Sequence, residues 1–167
     1  MFRVRSIGII AWLFFCVPAF ALPADSEKTM SIVALSSLFN YKTGTNTYEG
    51  DVKIDQGSTH LTADRVVTQN NDHHKIDTAT AYGIQKLAEY ITLPKDGDLP
   101  FHAKAKVIKF FPATSIVILE GDVVVTQGEN SFQGPLIIYN MKDQVVTAPA
   151  SKLGRATIVI EPTQLKQ

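Results

Sequence analysis

The side chains of this 167-residue chain that could do chemistry are few: one cysteine, Cys16; four histidines, His60, His73, His74 and His102; and two aspartates, Asp51 and Asp122, that stand in matching surroundings 71 positions apart. A metal site needs ligands at set spacings, such as two His one helical turn apart or paired Cys, and neither spacing occurs. His73 and His74 fall in the polar run 70–75, the setting of solvated loop residues. There is no Gly-x-Ser-x-Gly elbow, phosphate loop or dinucleotide fingerprint. Asp51 and Asp122 could be imagined as an acid–base pair, but their recurrence within a turn-like repeat favours a turn or ladder role. The pattern predicts no catalytic site, no metal and no cofactor.

Charge excludes a further class. The chain carries 16 Lys+Arg and 16 Asp+Glu with no block of like charge, so nothing resembles the clustered cations that bind nucleic-acid phosphates. The first residues have a composition of their own. Arg3 and Arg5 precede an apolar run from Ile7 to Val17, and Ala19-Phe20-Ala21 ends it with a small-x-small pattern, which predicts a secretory signal over 1–21 cleaved after Ala21. The apolar run is too short to span a bilayer, which takes about 20 residues. Cleavage would remove Arg3, Arg5, Trp12 and Cys16, leaving 146 residues with 14 basic and 16 acidic side chains, a formal charge of −2. A secreted domain of that size without cysteine must be held by its core alone.

After a flexible stretch over 22–29, short β-branched and aromatic runs alternate with Gly, Pro, Asn and Asp clusters. Strands are predicted at 31–35, 38–41, 47–55, 59–68, 75–82, 84–92, 101–111, 115–126, 131–140, 144–148 and 155–161. The chain is therefore all-β, with at most one helical turn near its N-terminus. An internal repeat organises it: Tyr48-Glu49-Gly50-Asp51-Val52-Lys53-Ile54-Asp55-Gln56-Gly57 superposes on Leu119-Glu120-Gly121-Asp122-Val123-Val124-Val125-Thr126-Gln127-Gly128, and Leu61, Ala63, Val66 and Val67 on Phe132, Gly134, Ile137 and Ile138. Residues 105–110 read as a partial third copy, placing Ile108 and Phe110 in register with Val66 and Thr68. Repeated β units stack to make their apolar faces continuous. Period-two alternation puts Tyr48, Val52 and Ile54 on one face and Glu49, Asp51, Lys53 and Asp55 on the other. Gly50 and Gly121 in mid-strand predict a bulge or bend, and Gly57 and Gly128 tight turns with positive φ. Strands such as 115–119 and 134–139 are apolar on both alternating sets, which predicts a wide apolar interior between two layers.

These segments, with Leu61-Thr-Ala-Asp-Arg-Val-Val, Ala81-Tyr82-Gly83, Gly134-Pro-Leu-Ile-Ile-Tyr and the closing 155–165, resemble the OstA-like family of periplasmic lipopolysaccharide-transport proteins across about 30–165. One departure is Leu35, which follows Ile32-Val33-Ala34 where the family usually carries Asp. Another is a longer loop at 94–100, which blurs the inward residues between Ile84 and Phe101.

The resemblance implies a single V-shaped, slightly twisted β-jellyroll, open at both ends, located in the periplasm, whose groove holds the acyl chains of lipid A. It also implies head-to-tail self-association and partners of the LptC type at the inner membrane and the LptD type at the outer membrane. Mapped by position, the lipid-facing residues would be Met30, Ile32, Val52, Ile54, Leu61, Val66, Ile108, Phe110, Leu119, Val123, Val125, Phe132, Ile137 and Tyr139. Two alternatives stay open: a purely structural periplasmic β-solenoid, and an LptC-type membrane-anchored subunit of the same pathway.

Overall fold

The computed structural model describes residues 28–94 and 97–160. The expected signal with Ala19 and Ala21, most of 22–29, and the expected domain end beyond 160 lie outside the described residues. Twelve strands follow one another: β1 (Met30–Val33), β2 (Ser36–Asn40), β3 (Thr45–Gln56), β4 (Thr59–Asn70), β5 (Ile76–Tyr82), β6 (Ala88–Thr92), β7 (Phe101–Ala105), β8 (Val107–Phe111), β9 (Ile116–Gln127), β10 (Asn130–Asn140), β11 (Val145–Thr147) and β12 (Thr157–Val159).

All pairings are antiparallel, and their registers resolve into eight bent rungs. The long strands β3, β4, β9 and β10 are rungs by themselves. The pairs β1/β2, β5/β6, β7/β8 and β11/β12 make the other four. The first half of β3 pairs β2 and its second half pairs β1; β4 divides between β6 and β5, β9 between β8 and β7, and β10 between β12 and β11. The sheet is thus folded along one line of corners into two layers, a V. Sheet I holds β2, β5, β8 and β11 with the adjoining halves of the long strands; sheet II holds β1, β6, β7 and β12 with the other halves.

Two local devices make the corners. At Gly50-Asp51 and Gly121-Asp122 the backbone takes positive φ at both residues, with a register shift against the neighbouring strand at each bulge, so each strand turns through the left-handed region that glycine enters without penalty. In β4, by contrast, the alternation slips. Ala63 and Val66 are buried while Asp64 and Arg65 between them face outward. Lys106 does the same between Ala105 and Ile108, so the expected strand 101–111 is two strands on different layers, bridged by Lys106 N–H to Gly121 O and Gly83 N–H to Lys106 O, both 2.8 Å. The expected strand 84–92 is likewise shortened. Residues 83–87 are a corner, where one Asp64 carboxylate oxygen accepts the backbone N–H of Ile84 and Gln85 at 2.6 Å and of Lys86 at 3.4 Å. The hydrogen bond from Gln85 leads in holding the Asp64 carboxyl below its usual range; burial opposes it, and the bonds from Ile84 and Lys86 and the Lys86 charge add to the lowering.

The recurring aspartates sit on this ridge. Asp51 pairs with Lys86 at 3.2 Å and Asp122 with Lys106 at 2.8 Å, exposed contacts of the kind worth little stability. Gly57 and Gly128 take the positive φ expected of them. Ile108 and Phe110 stand in register with Val66 and Thr68, with Ala81 and Ala79 of β5 between them.

The apolar interior is narrower than the sequence pattern suggests. Val117, Leu119, Ile137 and Tyr139 are buried between the layers, but the alternate set Ile116, Ile118, Leu136 and Ile138 is half-buried on the outside of sheet I. Period two sorts a strand into two faces without saying which is inside, and here both sets are apolar.

Candidate functional site

The groove between the sheets gathers apolar side chains from all eight rungs. Its floor, along the corner line, is small: Ala63, Ala88, Ala103 and Ala105 are fully buried where the layers converge. Above them Val52, Val66, Ile108, Leu119, Val123, Val125 and Ile137 are buried, and Ile32, Ile54, Leu61, Phe110 and Phe132 pack partly exposed against them. All of these belong to the set mapped from the sequence, and the fold directs them inward. Met30, also in that set, stands at the rim and is 40% exposed. Buried polar groups are provided for. Asn46 Nδ2 donates to Thr68 Oγ1 at 3.2 Å, the Thr59 and Thr92 hydroxyls share a 2.9 Å bond, and among the described residues no buried side-chain polar atom lacks a partner.

The mouth of the V differs from end to end. At the first rung a cavity of about 320 Å³ lies between the layers, lined by Met30 and Ile32 of β1, by Ala34 just after it, and by Ser37, Phe39 and Tyr48 from sheet I. Phe39 is 47% exposed, and its ring meets two rings of its own layer, Tyr48 edge-on at 5.8 Å and Tyr41 at 6.4 Å. Farther along, Phe101 of sheet II lies flat on Tyr139 of sheet I, centroids 4.0 Å apart and planes within 12°, and both rings are buried. Tyr90 packs edge-on to Phe101 at 6.4 Å and its hydroxyl lies 3.6 Å from Met141 Sδ. Gln144 Nε2 donates across the mouth to Asp98 Oδ2 at 3.0 Å. Burial, and secondarily the Asp98 charge, push the Tyr139 hydroxyl above its ordinary range.

Reasoning from sequence alone left Tyr90 and Phe101 out of the groove set because the 94–100 loop obscured their register. The alternation Phe101-x-Ala103-x-Ala105, all buried, was the available signal. Outside the groove, His60 pairs with Asp55, and Glu89 accepts from His102 and Lys104 on the outer face of sheet II. Burial alone would raise the Glu89 carboxyl, but these partners outweigh it and hold it below its usual range. Among the described residues no three His, Cys, Asp or Glu gather as a metal site, and no helix is long and apolar enough to cross a membrane.

A bent antiparallel jellyroll with a continuous apolar interior and, among the described residues, end strands paired on one side only defines a class of protein built around a groove. The family model described as "LptA/(LptD N-terminal domain) LPS transport protein" matches residues 31–145, and the chain belongs to that family. Lipopolysaccharide export system protein LptH of Pseudomonas aeruginosa is 34% identical over 139 residues, covering 83% of this chain and 75% of the relative. Lipopolysaccharide export system protein LptA of Escherichia coli K12 is 27% identical over 151 residues, 90% of this chain and 80% of the relative. The crystal structure of LptH, described as the LptA-homologous periplasmic component of the lipopolysaccharide transport device of P. aeruginosa, superposes with a TM-score of 0.75 at 29% identity, covering 84% of this chain and all of that one.

Proposed function

We propose that this protein is a non-catalytic periplasmic carrier that shelters the acyl chains of lipopolysaccharide and passes them from the inner toward the outer membrane. The observation that carries the reading is the groove itself: inward apolar side chains on every long strand, with an opening at the first rung lined by Met30, Ile32 and Phe39. Exposing one acyl chain of a dozen carbons to water costs about 10 kcal/mol at ~0.8 kcal/mol per CH₂. Several chains at once make free diffusion negligible, whereas a continuous groove offers each position along the route a similar environment.

The two ends supply continuity between molecules. Among the described residues, β1 and β2 have strand partners on one side only, and so do β11 and β12 at the other end, with Val33, Leu38, Val145 and Ile158 exposed on them. Unpaired edges are satisfied by strand addition, so copies stack head to tail, and LptC-type and LptD-type proteins cap the row at the inner and outer membranes. Purified protein should bind lipopolysaccharide stoichiometrically, and its mean size should grow with protein concentration. Assembly without any lipid binding would identify a scaffold instead, and a mature N-terminus that retains the leader would point to a membrane-anchored subunit.

A further inference from the structure

We infer that the groove is divided by a clasp: the Phe101–Tyr139 stack and the Asp98–Gln144 hydrogen bond beside it hold the two sheets together at the mouth and must part before an acyl chain moves beyond the first rungs. The inference rests on the lipid-carrying reading above and adds to it a closed state with a defined location.

The geometry is specific. Phe101 opens β7 and Tyr139 lies one residue before the end of β10, so both sit at strand ends far from the corner line, one on each sheet. Their rings touch face to face where a hydrocarbon would have to run. The Asp98–Gln144 bond spans the same gap from the loops just beyond those strands. At the first rung the corresponding rim residues, Met30 and Phe39, leave a cavity between them. The repeat explains the contrast: the position of Tyr139 in the second unit is Thr68 in the first, where the side chain is spent on a hydrogen bond to Asn46 within its own sheet. At that position the first unit thus has no ring to close with, and the second does; the first unit's own inward ring, Tyr48, packs edge-on against Phe39 of the same sheet.

The test locks the clasp. In a Cys16→Ser background, Asp98→Cys and Gln144→Cys are joined by a short bifunctional thiol reagent, and a photo-crosslinking residue replaces either Phe39 or Phe132. Purified lipopolysaccharide is the probe. Without the link, capture is expected at both positions. With it, capture at Phe39 should persist and capture at Phe132 should fall at least tenfold. Undiminished capture at Phe132, or equal loss at both positions, would overturn the clasp while leaving lipid binding intact. No capture at either position, linked or not, would overturn the lipid-carrying reading and the clasp with it. As an independent variant, Tyr139→Thr without the link should speed capture at Phe132 roughly two- to tenfold relative to Phe39, the range expected from removing one aromatic stack. An unchanged ratio would also overturn the inference.

Discussion

The units β3–β4 and β9–β10 are two copies of one design, 71 residues apart, that share a corner and differ in what they do with their faces. Both bend at Gly-Asp with positive φ, and both turn at Gln-Gly. Inside the groove, Asn46 and Thr68 of the first unit face each other across the register as a hydrogen-bonded pair, where the second unit has Val117 and Tyr139. Outside, Thr47, Arg65 and Val67 of the first become Ile118, Leu136 and Ile138 in the second. At the corner, Asp64 caps the turn at 84–86, whereas its counterpart Pro135 offers no acceptor side chain, and the last corner widens into the segment 148–156 over a cavity of about 390 Å³. Keeping the bend while varying its faces lets one repeat make an open first rung and a closed stretch toward the other end.

The largest effect that sharpens this contrast should come from Phe101→Ala. It empties a fully buried stacked position, so urea denaturation should show a loss of about 3–5 kcal/mol. Leu61→Ala, half-buried near the open rung, should lose roughly half as much or less. Equal losses would mean that the groove is packed as tightly beside the first unit as where Phe101 stacks on Tyr139 of the second.

Corner geometry ranks next. An added Cβ at Gly83 would lie 2.3 Å from Ala88 N and 2.4 Å from Lys86 O, both backbone atoms, so Gly83→Ala should cost about 1–3 kcal/mol. At Gly134 the nearest atom is Ala156 Cα at 3.3 Å, on the wider corner, and Gly134→Ala should cost distinctly less in the same denaturation assay. The reverse order would show that the second corner is the constrained one.

The smallest effect concerns the cap. Because the folded state lowers the Asp64 pKa, its contribution is complete above the ordinary carboxylate range and disappears as pH falls through the lowered value. Asp64→Asn should therefore lower Tm at neutral pH, and the gap from wild type should close on acidification. A gap that is constant with pH would remove the charged cap from the account. Replacing Pro135 by Ala should leave no such pH-dependent difference.

Much of this architecture is legible in the chain because the repeat exposes it. The Gly-Asp bends, the Gln-Gly turns and the register of Ile108 and Phe110 with Val66 and Thr68 follow from aligned positions. The corners without glycine do not announce themselves. Asp64 and Lys106 turn the chain by placing two consecutive residues outward, visible only when Ala63-Asp-Arg-Val66 is set beside Ala105-Lys-Val-Ile108. The outward apolar set on β9 and β10 is equally opaque, since alternation assigns faces without naming the core. The Phe101–Tyr139 contact joins residues 38 positions apart on opposite sheets, and local pattern carries no trace of it.

The central claim is that the inner faces of the V, and not its outer faces, meet hydrocarbon. Photo-crosslinking residues placed at Ile32, Phe110 and Lys53 in cells test it most directly, because the first two point into the groove and the third is exposed on the outer face of β3. The account predicts capture of lipopolysaccharide at Ile32 and Phe110 and none at Lys53. Equal capture at all three would contradict it.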